Sequence, residues 1–197
     1  MIILTIMLAA FAGAADAKLA QAVKAGLGLL TEDRKEMGIL KDLSIRENVT
    51  LADLSAVSRL EVILRRREVS LVTSLVPRLR LKYQSTEQPI SSLSGGNQQK
   101  VLLSRWLATK AKVLLLDEPT KGVDVGAKAD IYTIIGDLAA HELGIVVVSS
   151  YLPELLGICD RVVVLHDFGV TGELPIEDAT EEEVLRLASS TPVSINV

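Results

Sequence analysis

A chain of 197 residues is long enough for one domain, or for one domain and a small subdomain, with a sizeable apolar core. Hydrophobic residues make up 49% of it and aromatic residues only 3%, a composition typical of an α/β fold with a parallel sheet. The net charge of −4 argues against a general nucleic-acid binder, and a single cysteine excludes an internal disulfide.

The chain begins with an apolar run from Ile2 to Ala15 that no Lys or Arg precedes. The run is too short to span a bilayer as a helix. Without a basic residue ahead of it, it is also a weak match to a signal peptide. We interpret residues 1–17 as a non-native or signal-like start and expect the domain itself to occupy residues 18–197.

The first predicted strand covers residues 28–31 and delivers a charged loop at residues 32–35, which begins with Glu32. Charged loop residues at the end of a strand are candidate site residues, and a solvated turn is the alternative. A helix is predicted after Ser44, because Glu47 stands three residues later, as in a capping box. Of these loop residues, Glu32 is the candidate site residue.

The middle of the chain is predicted to be mainly helical up to about residue 74. This prediction rests on apolar residues that recur at helical spacing, namely Leu51, Leu54, Val57, Leu60 and Leu64. Pro77 and Pro89 are expected to break the structure around a loop. The basic residues of this region favour a solvated helix face, with contact to acidic groups of a partner as the alternative; they are Arg65, Arg66, Arg67, Arg78, Arg80 and Lys82.

A glycine turn that opens a helix is predicted just after residue 93. Glycines allow an anionic ligand to approach the backbone, and the unsatisfied N–H groups and positive dipole end of the new helix then face it. The pattern therefore predicts a phosphate-facing surface. Its candidate residues are Ser94, Gly95, Gly96, Asn97 and Gln98.

A buried strand at residues 113–116 is predicted to end in Asp117 and Glu118. The unbroken apolar run fits a strand that is buried on both faces, and ligands of open α/β sheets bind at the carboxyl edge. Pro119 ends the strand, and a polar turn at residues 122–124 follows. The two acids are therefore candidates for a ligand site.

Helix and strand patterns alternate after residue 124. Helices are predicted at residues 127–140, 153–159 and 180–188, and strands at residues 145–148, 162–165 and 170–174. Thr180 and Glu183 form a second predicted helix cap. This alternation argues for a parallel sheet.

The motifs resemble those of ATP-binding cassette (ABC) ATPases. LSGGNQQK at 93–100 resembles the signature motif, VLLLDEPT at 113–120 the Walker B motif and GVDVGAK at 122–128 the D-loop. One branch, the second nucleotide-binding half of ribose/galactose/xylose-type monosaccharide importers, is similar in further segments: TEDRK at 31–35, SIRENVTL at 44–51 and SSYLPELLGICDRVVVL at 149–165. The resemblance covers about residues 20–188. It implies an α/β fold: a P-loop NTPase-like parallel sheet that lacks its phosphate-loop part, with a helical signature subdomain.

The resemblance implies a role for each acid of the Walker B segment. Asp117 would hold Mg²⁺ through water, since Mg²⁺ prefers carboxylate and water oxygens. Glu118 would orient or deprotonate the water that attacks ATP. The implied cofactors are therefore ATP and Mg²⁺.

The resemblance also implies contacts between two nucleotide-binding halves. Ser94, Gly95 and Gly96 would stabilise the γ-phosphate of an ATP held by the opposite half of a dimer. Asp124 would lie at the dimer seam. Glu32 falls where many relatives carry a glutamine that senses the γ-phosphate and touches the membrane subunit.

Two departures from the family pattern are visible. No G-x-x-x-x-G-K-[ST] phosphate loop occurs in the sequence, so the chain resembles the back part of a nucleotide-binding domain. Ser149 and Ser150 stand where the family has Ser-His, and serine cannot supply the cationic or proton-shuttling contact of that histidine. Ser150 is the candidate at this position, whereas His141 and His166 lie outside it.

We therefore expect a partial nucleotide-binding domain. Its helical subdomain is predicted at about residues 43–109, its catalytic core at about 110–175 and its C-terminal helix at about 180–188. The expected function is that of an ATP-binding/ATPase subunit, or a fragment of one, that couples ATP hydrolysis to monosaccharide uptake. Without the phosphate loop and the switch histidine, the chain is expected to be inactive alone.

The expected partners are a second ABC nucleotide-binding domain, transmembrane permease subunits and, indirectly, a periplasmic sugar-binding protein, with no nucleic acid. These partners imply a cytoplasmic chain, peripheral on the inner face of the plasma membrane. Two alternatives remain open. The chain is a catalytically inactive remnant or a regulatory partner that donates its signature motif in trans, or it is a soluble ABC ATPase that acts on DNA or ribosomes.

Overall fold

The computed structural model describes residues 21–190, so the interpretation of residues 1–17 lies outside it. Described residues up to Val146 form one compact unit, and those from Val147 onward form another. The strands are β1 (Leu27–Leu30), β2 (Ser58–Arg59), β3 (Val62–Ile63), β4 (Val113–Asp117), β5 (Gly144–Val148), β6 (Arg161–His166) and β7 (Gly169–Pro175). The α-helices are α1 (Ile45–Thr50), α2 (Arg65–Leu79), α3 (Gly95–Ala108), α4 (Val125–Ala139), α5 (Leu152–Ile158) and α6 (Glu181–Ala188).

A three-stranded sheet with the order β1-β4-β5 supports the larger unit. Strands β1 and β4 are parallel, and Leu30 pairs with Leu116 at the end of the register. Both leucines are buried, as is Leu114. The sequence prediction of these two strands is confirmed, with β1 starting one residue earlier than expected. Their carboxyl ends lie at one edge of the sheet, where Glu32 and Asp117 follow the paired residues.

Strand β5 forms where the sequence predicts it, but it is not buried as expected. It lies at the edge of the three-stranded sheet, and Val146 is 51% exposed. An edge strand has a neighbour on one side only, so its apolar side chains are less covered. Buried and half-buried residues alternate along β4, so one face of this strand is more buried than the other.

Helix α1 begins at the predicted capping box. The Ser44 hydroxyl accepts a hydrogen bond from the Glu47 backbone N–H at 3.2 Å, and the Glu47 carboxylate accepts one from the Ser44 backbone N–H at 2.8 Å. Two of the N–H groups that a helix start leaves without a helical partner are thereby satisfied. Helix α1 packs against α2 and α3 around buried residues Ile45, Val49, Val72, Leu79, Val101 and Leu103.

The helical prediction for residues 51–64 is wrong. A 3-10 turn at Leu54–Val57 is followed by the antiparallel hairpin β2–β3. Leu60 and Glu61 form its turn with positive φ angles of 51° and 63°, which a helix does not allow. Of the apolar residues at helical spacing, Val57 is 1% exposed and Leu60 is 90% exposed, so they do not share a buried face.

Helix α2 extends beyond the predicted end at residue 74 and includes Pro77. The helix ends at Arg80, whose φ of 47° is left-handed and whose N–H donates to the Pro77 carbonyl. Pro77 lies in the last turn, where the loss of one N–H group interrupts little of the remaining helix.

The smaller unit contains a hairpin rather than a continuation of a parallel sheet. Strands β6 and β7 are antiparallel, so the expected parallel pairing is wrong for them. Asp167 and Phe168 connect the two strands with φ angles of 44° and 64°, and a turn this short permits only antiparallel pairing. The Thr180 hydroxyl caps α6 as predicted, accepting from the Glu183 N–H at 3.2 Å.

Helix α6 packs on the hairpin through Leu187. A Cβ at Gly172 of β7 would lie 2.7 Å from the Leu187 side chain, so glycine allows the helix to approach the strand closely. Among residues 21–190, no helix is both long and apolar enough to cross a membrane.

Candidate functional site

The two acids after the apolar run stand at the carboxyl end of β4. Asp117 is the last residue of the strand, and Glu118 follows it with a φ of 48°. A non-glycine residue with this backbone conformation is strained, and such residues cluster at functional sites. Both side chains are half-buried. The strand therefore presents a carboxylate pair at the sheet edge, with the second acid in a strained conformation.

The Asp117 carboxyl lies in an environment that disfavours its charged form. Burial raises the pKa of Asp117 above its usual value, and the negative charges of Glu32 and Glu118 raise it further. A hydrogen bond with the Glu32 backbone acts in the opposite direction and lowers it. Since Glu32 follows β1 and Asp117 ends β4, the parallel pairing of these strands brings the acids together.

Lys121 counters the negative charge of this cluster. Its ammonium lies 2.5 Å from the Glu32 carboxylate. The hydrogen bond with Glu32 raises the pKa of Lys121, and the charges of Glu32, Glu118 and Asp117 add to this effect. Both members of the pair are exposed, so the contact arranges the loops and adds little stability.

Arg34 connects the loop after β1 with the turn after β4. Its Nη1 and Nη2 atoms donate to the carbonyls of Lys121 and Gly122, each at 2.9 Å. The π-helical segment Arg34–Gly38 begins at this residue, and burial lowers the pKa of its guanidinium. Arg34 thus fixes the distance between the segment that carries Glu32 and the turn that precedes Asp124.

Gly95 and Gly96 lie in close packing. A Cβ at Gly95 would lie 2.6 Å from Nη2 of Arg34, and a Cβ at Gly96 would lie 2.4 Å from the Cβ of Ala127. Because the Ala127 Cβ is fixed to its helix whereas Nη2 ends a flexible side chain, the restriction is stronger at Gly96. The two glycines therefore let the start of α3 lie against Arg34 and the first turn of α4.

The first turn of α3 has no side-chain cap. Ser94 is the N-cap residue and is exposed, but its hydroxyl accepts from the Asn97 amide at 3.0 Å rather than from a backbone N–H. Asn97 also accepts from the Lys82 N–H at 3.0 Å, and Gln98 donates to the Leu93 carbonyl at 3.2 Å. The side chains of Asn97 and Gln98 thus hold the turn in place, and the backbone N–H groups of the helix start remain without a capping side chain.

Asp124 is the N-cap of α4. Its carboxylate accepts from the Ala127 N–H at 3.0 Å, and the residue is exposed. Because Ala127 also touches Gly96, the cap of α4 and the start of α3 are held against each other. The larger unit therefore brings together the predicted residues Glu32, Gly95, Gly96, Asp117, Glu118 and Asp124.

The sequence interpretation did not single out Arg34 and Gln99. Gln99 is buried and donates to the Pro119 carbonyl at 2.8 Å, which links α3 directly to the segment after Glu118. Both residues stand inside quoted motifs, TEDRK and NQQK. Their place in these motifs was the sequence signal that could have identified them. Their contacts could not be inferred from spacing, because the partner residues are distant in the chain.

Ser150 lies in the smaller unit and is exposed. Its neighbour Ser149 donates to the buried carboxylate of Glu154 and accepts from the Tyr151 N–H at 3.1 Å. His141 is exposed in the turn before β5, and His166 ends β6. The segment in which Ser150 replaces the histidine of the family pattern is therefore held by the contact between Ser149 and Glu154.

The donor set at the end of β4 fits Mg²⁺ in one respect. The raised pKa of Asp117, caused in part by two neighbouring acids, marks an excess of negative charge that a cation would offset. Across residues 21–190, no group of three His, Cys, Asp or Glu residues forms a metal cage. Mg²⁺ is usually held by one or two carboxylates together with waters and substrate phosphates, so a full cage of protein ligands is not needed for such a site.

Solved ABC cassettes share this fold. The ADP- and phosphate-bound dimer of the cassette MJ0796 superposes with a TM-score of 0.66 at 22% identity, over 83% of this chain and 68% of that chain. The cassette MJ1267 superposes with a TM-score of 0.70 at 19% identity, over 87% of this chain and 71% of that chain. The fold is therefore that of an α/β ABC ATPase domain.

Sequence similarity gives the family. The ABC transporter family model matches residues 11–121, and the chain belongs to this family. The ribose import ATP-binding protein RbsA of Bacillus subtilis (strain 168) is 48% identical over 86% of this chain and 34% of its own length. A putative ribose/galactose/methyl galactoside import ATP-binding protein of Rhizobium meliloti (strain 1021) is 48% identical over 85% of this chain and 34% of its own length. The chain thus spans about a third of the length of these relatives.

Proposed function

We propose that the chain supplies ATP-binding elements of an ABC importer that couples ATP hydrolysis to monosaccharide uptake. The observation that carries this proposal is the strained Glu118 beside Asp117, followed by a turn whose carbonyls bind Arg34, which also lies against the glycine start of α3. Relatives named as ribose import and as ribose/galactose/methyl galactoside import ATP-binding proteins support a monosaccharide as the transported substrate.

The two carboxylates at the end of β4 have different proposed roles. Asp117 would hold Mg²⁺, and the ion would supply positive charge to the phosphates of ATP. Glu118 orients or deprotonates the attacking water. Glu118 has a left-handed φ of 48°, so the chain leaves the strand conformation directly after Asp117.

The start of α3 serves a second nucleotide. Ser94, Gly95 and Gly96 form the start of α3, which has no side-chain cap, and the backbone N–H groups of such a helix start can bind a phosphate. We assign this surface to the γ-phosphate of an ATP held by a second nucleotide-binding domain. Asp124 then lies at the seam between the two domains.

The proposed partners follow from this assignment. They are a second ABC nucleotide-binding domain, the transmembrane permease subunits and, indirectly, a periplasmic sugar-binding protein. Glu32 faces the permease in this arrangement, and the chain acts from the cytoplasmic face of the plasma membrane.

A second candidate function is donation of the signature surface in trans without hydrolysis at the Asp117 site. It is favoured by the absence of a phosphate-loop motif from the 197 residues and by serine at the switch position, Ser150. In this function the residues that matter are Ser94, Gly95 and Gly96, while Asp117 and Glu118 contribute to structure alone.

Association measurements test the proposal. We expect the chain to associate with the ATP-loaded first nucleotide-binding half of a ribose import protein, and to dissociate when ADP replaces ATP. Sedimentation velocity measures this association. The Ser94→Arg variant places a bulky cation at the start of α3 and is expected to abolish the association, while Ser92→Arg, in the 3-10 turn before α3, serves as the control. ATP-independent association, or none with ATP, would contradict the proposal.

A further inference from the structure

The hairpin β2–β3 and the first turn of α2 form a surface that the nucleotide chemistry does not use. We name it the basic hairpin; it comprises residues 58–63 and 65–67. Its turn residue Leu60 is 90% exposed, and the two residues of β3, Val62 and Ile63, are 61% and 47% exposed. Three large apolar side chains thus face solvent within four consecutive positions.

The turn holds Leu60 outward at an energetic cost. Leu60 and Glu61 have φ angles of 51° and 63°, a conformation that favours glycine and asparagine. A leucine in this position has neither the backbone freedom of glycine nor a buried contact. Folding alone therefore gives no reason for an apolar residue at the tip.

The apolar tip is surrounded by arginines. Within residues 21–190, the side chains of Arg59 and Arg66 make no hydrogen bond or ion pair. Arg65 pairs with Glu87 at 2.9 Å, and Arg67 donates to the Ser58 carbonyl at 3.2 Å. The basic hairpin carries four arginines against one exposed acid, Glu61, in a chain with a net charge of −4, so its positive charge is a local feature.

The basic hairpin is attached firmly to the helical part of the larger unit. The Leu64 N–H donates to the Val57 carbonyl at 2.9 Å, across the base of the hairpin. Val57 is 1% exposed, and the Arg67 contact to Ser58 ties the start of α2 to β2. The exposed apolar residues therefore project from a fixed base.

We propose that the basic hairpin docks on anionic phospholipid, with Leu60, Val62 and Ile63 entering the interface and Arg59 and Arg66 contacting the headgroup phosphates. Apolar side chains flanked by basic ones bind membrane interfaces in this way. A lipid surface is favoured over a protein partner because exposed apolar residues stand beside exposed arginines in a chain of net negative charge. The proposal goes beyond ATP-dependent transport and requires neither nucleotide nor sugar.

Vesicle sedimentation tests this proposal with the full 197-residue chain. The chain is expected to sediment with vesicles of phosphatidylcholine and phosphatidylglycerol, and much less with phosphatidylcholine alone. Arg66→Gln is expected to lower the partition coefficient about fivefold, the effect of one basic residue near an anionic surface. Leu60→Asn is expected to lower it at least as much, and asparagine suits the left-handed conformation, so melting followed by circular dichroism should be unchanged or higher.

The second hairpin provides a matched control. Phe168 stands at the β6–β7 turn with a φ of 64°, is 74% exposed, and belongs to the smaller unit. Arg161, the arginine of that hairpin, is paired with Glu173. Phe168→Asn makes the same kind of change away from the basic hairpin and is expected to leave vesicle binding unaltered. Residues 1–20 are the same in all variants, so their contribution cancels.

Four results would overturn the proposal. These are an absence of binding to either vesicle, equal binding to neutral and anionic vesicles, wild-type binding by Leu60→Asn, and an equal loss in Phe168→Asn. Wild-type vesicle binding by Leu60→Asn together with failed assembly with membrane subunits would instead assign the hairpin to a protein partner. Since no nucleotide is present, none of these results bears on the proposed ATPase chemistry.

Discussion

Gly96 sets the distance between α3 and α4. Because an added Cβ would lie 2.4 Å from the Cβ of Ala127, Gly96→Ala forces the two helices apart or distorts the turn. We expect a loss of about 1–3 kcal/mol in the free energy of unfolding, typical of overpacking. Urea unfolding followed by circular dichroism measures it.

Gly136 and Ala127 supply the controls for this substitution. A Cβ at Gly136 in α4 has no atom within 4 Å, so Gly136→Ala should raise the free energy of unfolding by about 0.5–1 kcal/mol. Ala127→Gly removes the clashing methyl group and should recover part of the loss caused by Gly96→Ala. If Gly96→Ala and Gly136→Ala have the same effect, the close contact is not present.

Arg34 is the residue on which the arrangement of the site depends most. Arg34→Ala removes both hydrogen bonds to the carbonyls of Lys121 and Gly122 and is expected to cost about 1–3 kcal/mol. Arg34→Lys keeps the charge but cannot reach both carbonyls. We therefore expect hydrogen exchange at residues 121–124 to accelerate in both variants.

An exposed arginine gives the control for Arg34. Arg186 pairs with Glu183 on the surface of α6, and its replacement by alanine should cost less than about 1 kcal/mol. Exchange at residues 121–124 should not change in that variant. A similar loss of stability in the two alanine variants would show that Arg34 has no special role.

The acids of the site could be predicted from the sequence, but the links between them could not. Asp117 and Glu118 follow an apolar run, and that pattern alone places them at the end of a strand. Arg34 contacts carbonyls 87 and 88 residues away, and any residue type has a carbonyl. No spacing rule in one sequence identifies such a contact.

At the scale of elements, local capping was predictable and the turns with positive φ were not. Ser44 with Glu47, and Thr180 with Glu183, carry their partners within one helical turn, so the sequence contains the whole interaction. The turn at Leu60 and Glu61 has no glycine or asparagine, and apolar residues around it have helical spacing. Periodicity therefore predicted a helix where the chain forms a hairpin.

The ion-pair cluster between α1, α2 and the loop before α3 should make stability depend on pH. A hydrogen bond from Arg46 lowers the pKa of Glu87, and the charges of Arg46 and Arg65 lower it further. Hydrogen bonds with Ser44 lower the pKa of Glu47. A carboxylate with a lowered folded-state pKa stabilises the fold above its unfolded value of 4.5, and this stabilisation is lost as pH falls through the folded value.

Urea unfolding at a series of pH values checks this dependence. The free energy of unfolding should fall below pH 4.5 in the wild type and fall less steeply in Glu87→Gln, which has no carboxylate to protonate. Glu61→Gln, at the exposed hairpin turn, should keep the wild-type slope. Identical slopes in all three proteins would mean that the cluster does not contribute.

At the scale of the whole molecule, our proposal divides the site into two halves that serve different nucleotides. In it, the start of α3 faces an ATP held by a second domain, and the carboxylates after β4 have no phosphate loop within the 197 residues to work with. The 197-residue chain alone should therefore bind ATP weakly and hydrolyse little or none. Titration calorimetry and phosphate release measure this; submicromolar affinity, or turnover that Glu118→Gln abolishes, would contradict it.

The central claim is that the helix start at Ser94–Gly96 completes an ATP site in trans. The most direct test is ATP turnover by the first nucleotide-binding half of a ribose import protein, measured with and without this chain. We predict that the chain stimulates turnover, that Ser94→Arg removes the stimulation, and that Ser92→Arg retains it. Full stimulation by the Ser94→Arg variant, or none by the wild-type chain, would contradict the claim.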